Sequence, residues 1–296
     1  MARASTQLAL DLAWSLWAEL GVPSPLRRHG DWLVVPEPLL LFTSTLAEED
    51  RRLRDNAIAW CREHKAVLSA RALRHAYERD GWGVAVDGNF AATLRDAGLR
   101  WPGAAVGSAV VVAAEIKGPS AFVHPSQLAL RLRALLGVGS RAEVLRVLLV
   151  AAQPTYTASE LADAAYATKR QVNETVEHLR LAGLVEVDRH RQPYKVRLRE
   201  RDAVIGLVGS PPPVAPDLGA LLWLLHGIRT ALARVERPVD TTAGAQLHRF
   251  LRQHEGHARR LGLRLPEGGP AYGERAYRWC AVVLEQAAQG LPVTGE

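Results

Sequence analysis

Lys169, Arg170 and Asn173 lie close together in the stretch TKRQVNETVEHLRLAGL, and Arg189, His190, Arg191 and Lys195 form a second cluster shortly after it. Arginine and asparagine are the side chains that pair at two points with guanine and adenine edges, while Lys, Arg and His also meet phosphate. Thr168 stands just before the first cluster, where a helix start with free N–H groups suits a phosphate oxygen. Double-stranded DNA is therefore the partner these residue types fit. Three other constellations point to different chemistry. Cys61 and His64 are three apart on an expected helix, but zinc needs more ligands and no second pair is near in sequence. A packed Cys61 beside a surface His64 is the plainer expectation. His254 and His257 lack the i,i+4 spacing of a zinc hydrolase, and with His248 they read as a solvated basic face. Glu115-Ile116-Lys117 follows the apolar run Val110–Ala114, and with Asp87 or Asp96 it has the outline of a magnesium-dependent nuclease site. So short a pattern reads first as a surface pair ending a strand. No P-loop, dinucleotide-binding glycine pattern or Gly-x-Ser-x-Gly elbow occurs. The expectation is a non-enzymatic protein with no cofactor and no metal.

The elements that must hold the two basic clusters are legible from helix starts. Ser140…Glu143, Thr157…Glu160 and Thr168…Gln171 each have the spacing of a capping box, in which the hydroxyl and the acid or amide satisfy two orphan N–H groups. They predict helices near 140–152, 158–165 and 169–182, with Tyr156 packing on Leu161 ahead of the second. The joint Tyr166-Ala167-Thr168 has the tightness of a helix-turn-helix. In the third helix Val172, Val176, Leu179 and Gly183 form one stripe, and Arg170, Asn173, Glu174 and Glu177 point the other way, with Lys169 and Arg180 at the flanks. The two glutamates oppose unrestricted attraction to DNA. Leu184–Val187 and Tyr194–Leu198 alternate as strands around the polar tip 189–192, predicting a β-hairpin with a cationic end. From Thr168 to Arg201 there are nine Lys/Arg and five Asp/Glu, so a net +4 of the chain's +6 falls in this stretch. Such local concentration is what attachment to phosphates needs.

The phrase ASELADAAYATKRQVNETVEHLRLAGLVEV resembles winged helix-turn-helix transcriptional regulators of the ArsR and MarR kinds. The shared pattern is a small helix containing Glu-Leu-Ala, a Thr-capped second helix and Leu-x-x-Ala-Gly-Leu-Val entering the wing. The resemblance covers about 60 residues and implies a dimeric, sequence-specific repressor that reads palindromic sites. The phrases RRLRDNAIAWC and LALRLRALLGVGSRAEVLRVLL resemble longer bacterial regulators of this type, some encoded beside nucleotidyltransferase-like toxins. That variant implies a protein-interaction module, an antitoxin-like partner. Neither cysteine falls in the module, so the metal sites of ArsR sensors are not expected.

Around this module the 296 residues suggest a mostly α chain of the α+β kind. An N-terminal α+β domain over 1–120, the winged helix-turn-helix over 121–205 and a C-terminal helical region over 206–296 are expected. In the first, helices are predicted at about 6–20, 45–64 (with Thr45…Glu48 as a capping box) and 69–78. Asp31–Phe42 reads as an extended segment broken by prolines, and Gly81–Val86 and Ser108–Ile116 as strands. Trp14, Trp17, Trp32, Trp60, Trp82 and Trp101 read first as core, with an effector pocket as the alternative, and a small-molecule or protein effector is a candidate partner. A helix is expected over about 124–136. Ser210–Pro216 (SPPPVAP) reads as a linker, followed by helices near 217–235, 241–261 and 272–289. The stripe Leu218, Leu221, Leu222, Leu225, Ile228 and Leu232 suits a homodimer interface. Two cysteines, no signal-peptide pattern and no apolar run of about 20 residues point to a cytoplasmic protein without membrane contact.

Overall fold

The computed structural model describes residues 2–103, 107–112, 114, 121–150, 153–190, 192–234, 241–267 and 272–295. Among these the chain is mostly helical, with one small antiparallel sheet of three strands.

Helix α1 (Ala2–Glu19) buries Leu12, Leu16 and Trp17 completely. Helix α2 (Pro36–Ser44) is buried at every residue. Its prolines suggest an extended segment, which does not form. Pro36 instead occupies the first helical position and Pro38 stays within the first turn, where a backbone N–H has no intrahelical acceptor to lose. Thr43 and Ser44 survive in the apolar interior by donating to Leu39 and Leu41 carbonyls, at 2.7 and 2.6 Å. Helices α3 (Arg51–Glu63), α4 (Ala70–Asp80) and α5 (Gly88–Asp96) are each capped by a side chain: Asp50, Ser69 and Asp87. The expected Thr45…Glu48 box does not form. Thr45 ends α2, and Asp50 starts the next helix by accepting from Leu53 N at 3.0 Å.

Among the described residues of the first 120 no strand forms and the regular elements are helices, where the sequence suggests α+β. Gly81, at φ +81°, ends α4, and Trp82–Val84 continues as a single 3-10 turn in place of the expected strand. Residues 108–112 of the second expected strand carry no sheet pairing, and part of it lies outside the described residues.

Helices α6 (Leu128–Leu136) and α7 (Ser140–Leu149) follow, then β1 (Tyr156–Thr157), α8 (Ala158–Ala164), α9 (Lys169–Leu181), β2 (Val185–Asp188) and β3 (Lys195–Leu198). The sheet order is β1-β3-β2, with Val187 opposite Val196 and Tyr156 opposite the same Val196 on the other side. Val185 and Val196 point into the core beneath α9 and α7. The hairpin is legible in the sequence, whereas the two residues of β1 are too few to show an alternation.

Helix α10 (Arg201–Val208) leads to the proline-rich segment, which is docked: Leu33 N donates to Val214 O at 2.7 Å and Val214 N to Asp31 O at 3.0 Å. Helices α11 (Leu218–Arg234), α12 (Thr241–Gln253), α13 (Glu255–Arg260) and α14 (Tyr272–Ala288) complete the chain. The leucine stripe of α11 is not available for a dimer. Leu222, Leu225 and Ile228 are fully buried within the chain itself, where α11 packs on α1, α2 and α14. Each such side chain contributes roughly 1.5–3 kcal/mol by leaving water, so this face belongs to the monomer's core. Trp17, Trp32 and Trp60 are core as well, and their indole N–H groups reach Thr43 Oγ1, Gly290 O and Leu20 O. No described helix is long and apolar enough to cross a membrane.

Candidate nucleic-acid interface

Two capping boxes set the geometry of the basic region. Thr157 Oγ1 accepts from Glu160 N at 3.3 Å while the Glu160 carboxylate takes Thr157 N at 2.7 Å. Thr168 and Gln171 make the same exchange at the start of α9, at 3.3 and 3.1 Å. The expected Ser140…Glu143 box is absent. Gly139 precedes α7 without a side-chain cap, and Ser140 Oγ bonds Thr175 Oγ1 of α9 at 2.8 Å instead. Glu143 is withdrawn into the interior. Its carboxylate takes Arg133 Nε at 2.6 Å and Arg146 Nε at 2.8 Å. Burial alone would raise its pKa, but the two guanidinium groups outweigh burial and hold it below the usual carboxylate range.

Between α8 and α9, Tyr166 adopts φ +51°, a left-handed conformation that non-glycine residues rarely take. Its ring is buried between the guanidinium groups of Arg79 and Arg146, each 5.7 Å from the ring centre, and His75 meets its edge at 5.4 Å. Arg146 also donates to Ala164 O at 2.6 Å, tying α7 to the end of α8. The turn is thus held from three sides, which is what aims α9.

Helix α9 buries Val172, Thr175, Val176 and Leu179 and ends before Gly183, at φ +74°. Thr168, Lys169, Arg170 and Asn173 are all exposed on its first turns. The structure thus brings four of the expected site residues to one helix end. Arg170 Nε lies 3.0 Å from Glu174 Oε1, with Arg170 87% exposed, so the pair is a solvent-screened one. The Asn173 carboxamide oxygen accepts from the Tyr194 hydroxyl, a tether between α9 and the hairpin that the sequence reading missed.

In the hairpin, Arg189 reaches back to Glu177 at 3.3 Å, and Glu177 also takes Arg180 at 2.6 Å. Hydrogen bonding from Arg180, with smaller help from nearby charge, lowers the Glu177 pKa. His190 is exposed, its backbone N–H donating to Asp188 at 2.9 Å, and Lys195 is exposed at the start of β3. Arg191 lies outside the described residues. Glu186 and Arg197 pair across the strands at 2.6 Å. The second cluster therefore lies beside the first, with Arg189 paired to Glu177 of α9.

Beneath the interface, Arg133 is fully buried and joins three elements: Glu37 of α2 at 2.7 Å, Glu143 of α7 at 2.6 Å and the Val67 carbonyl at 3.1 Å. Ser69 N, at the start of α4, donates to the same Glu37 at 2.7 Å. No local pattern marks Arg133 in the sequence, because Glu37 and Val67 lie far away along the chain and Glu143 belongs to the next helix.

The competing constellations resolve differently. Cys61 is buried, and burial followed by the nearby Glu37 charge pushes its thiol pKa well up. His64 is buried rather than on the surface: its ring stacks on Trp60 at 4.4 Å and Nδ1 meets Trp60 O at 3.0 Å. His254 and His257 are half-buried, not a solvated face, with His254 against Phe250 at 4.3 Å and His257 3.5 Å from Asp80. Asp87 is spent as the cap of α5, and Glu115-Ile116-Lys117 lies outside the described residues. Among the described residues no group of three His, Cys, Asp or Glu side chains is placed to hold a metal. No family model, curated protein or solved structure matches the chain.

Proposed function

We propose that residues 140–198 form a winged helix-turn-helix that binds double-stranded DNA sequence-specifically, with α9 as the recognition helix and the β2–β3 hairpin as the wing. The observation that carries this reading is the exposed first two turns of α9, where Lys169, Arg170 and Asn173 stand beside the hairpin that carries Arg189, His190 and Lys195. Recognition helices present base-reading residues from their N-terminal turns. Thr168 and the free N–H groups behind it suit a phosphate, and Arg189, His190, Arg191 and Lys195 suit the flanking backbone or minor groove. Repression, as a homodimer, is the regulatory mode that the resemblance implies. The dimer needs a surface other than the α11 stripe.

Selection of full-length protein against a pool of randomised duplexes tests the proposal. It predicts enrichment of a defined motif, an altered motif for Arg170→Ala, and for Lys195→Ala a uniform loss with a salt slope shallower by about one unit. Failure to enrich any motif counts against it. A second reading has one observation in its favour. Glu174 pairs with Arg170, and Glu177 with both Arg180 and Arg189, which reduces the positive charge on the very face that would meet DNA, and Leu181 is 69% exposed at the far end of α9. On that reading the same face holds a protein, and the selection yields nothing while a stoichiometric partner co-purifies.

A further inference from the structure

A cleft of about 450 Å³ opens where α2, the Lys65–Val67 turn and α4 face the start of α7 and the end of α8. Its size falls in the range of small-molecule sites. Lys65, Arg71 and Arg100 reach it from three separate elements, and none has a carboxylate partner among the described residues. The two carboxylates on its floor, Glu37 and Glu143, are already matched by buried Arg133 and by Arg146. Among the described residues the cleft therefore carries three positive charges without a paired carboxylate. A helix start adds to them. Ser140 opens the ten-residue α7, which has no side-chain cap, and Ala70 and Arg71 open α4, whose start is already capped by Ser69 and meets the Glu37 carboxylate through Ser69 N. Leu68, Leu73 and Leu99 supply an apolar wall.

We propose that this cleft binds a small phosphorylated molecule, its phosphate dianion held by Lys65, Arg71 and Arg100 and its apolar body against the leucines. One carboxylate charge would leave most of the cationic set unmatched, whereas a phosphate dianion with several acceptor oxygens uses it. The cleft also reaches Ala165 and Tyr166, the residues ahead of α9. If α9 reads DNA as proposed above, an occupant touches the turn that aims it, and the site is regulatory. The binding itself does not depend on that reading.

Isothermal titration of the full chain with phenyl phosphate, and separately with inorganic phosphate, tests the site. Phenyl phosphate is expected to bind saturably and more tightly than inorganic phosphate. The Arg71→Glu/Arg100→Glu double variant, altered only at exposed positions, is expected to bind it at least about tenfold more weakly with an unchanged melting temperature. Absence of saturable binding, or equal affinity in the double variant, overturns the proposal. So does a double variant that loses duplex binding when the wild type ignores phenyl phosphate, since the cations would then serve DNA. Phosphate binding without any duplex binding leaves this site standing and removes only the DNA reading.

Discussion

Arg133 shows what a single residue does in this chain. It is fully buried, and its guanidinium joins carboxylates from α2 and α7, which belong to different parts of the sequence. Such a pair contributes little net stability over an apolar replacement, but removing one partner strands the other in a medium that cannot solvate it. Arg133→Met should therefore cost about 3–5 kcal/mol in urea unfolding. The double change Arg133→Met/Glu37→Leu, which removes a stranded acid as well, should recover part of that loss. Equal losses in the single and double variants would mean that packing, not charge, dominates the site. None of this was legible in the sequence. Arg133 sits in LALRLRALL as an ordinary helical arginine, Glu37 lies far from it along the chain, and Glu143 belongs to a separate helix. The exposed cluster of Lys169, Arg170 and Asn173 was legible, because exposure on one helix follows from periodicity alone.

At the scale of elements, local signals were reliable wherever no distant group competed. The Thr157…Glu160 and Thr168…Gln171 boxes form because both partners lie within one turn and face solvent. Ser140…Glu143 has the same spacing, yet Thr175 takes the hydroxyl while Arg133 and Arg146 take the acid. This difference is measurable. Thr168→Ala should cost about 1 kcal/mol as a lost N-cap. Ser140→Ala should show coupling of about 0.5–1.5 kcal/mol with Thr175→Val in a double-mutant cycle, and none with Arg141→Ala. Coupling of Ser140 to the helix start alone would contradict the contact. Helix α2 was misread for a related reason: two prolines at a helix start resemble a broken strand until its burial on all sides is known.

For the whole molecule, the stability of the interior should depend on pH through its buried imidazoles. Burial, and then the charges of Arg229 and His254, lower the His226 pKa from 6.5 to about 4. His29, His75 and His254 are lowered too, each chiefly by burial. The unfolded chain then binds protons first as pH falls, so stability is intact above about pH 6.5 and declines down to about pH 4. His226 alone contributes on the order of 3 kcal/mol to that decline. Thermal melts across this window should show it, and His226→Phe should flatten the curve; an unchanged slope would mean that His226 titrates normally. The same scale explains why the α11 stripe was visible but its partner was not. Periodicity shows that a face is apolar, but not whether another copy or the chain's own α1 and α14 will cover it.

The claim that α9 and its hairpin meet DNA is tested most directly by the salt dependence of duplex binding. A selected duplex should bind full-length protein with log K falling linearly against log salt. Lys169→Ala/Arg170→Ala/Lys195→Ala should weaken binding and make that slope shallower by about two to three units. A wild-type protein with no salt-dependent duplex binding, or a triple variant with the wild-type affinity and slope, would contradict the account.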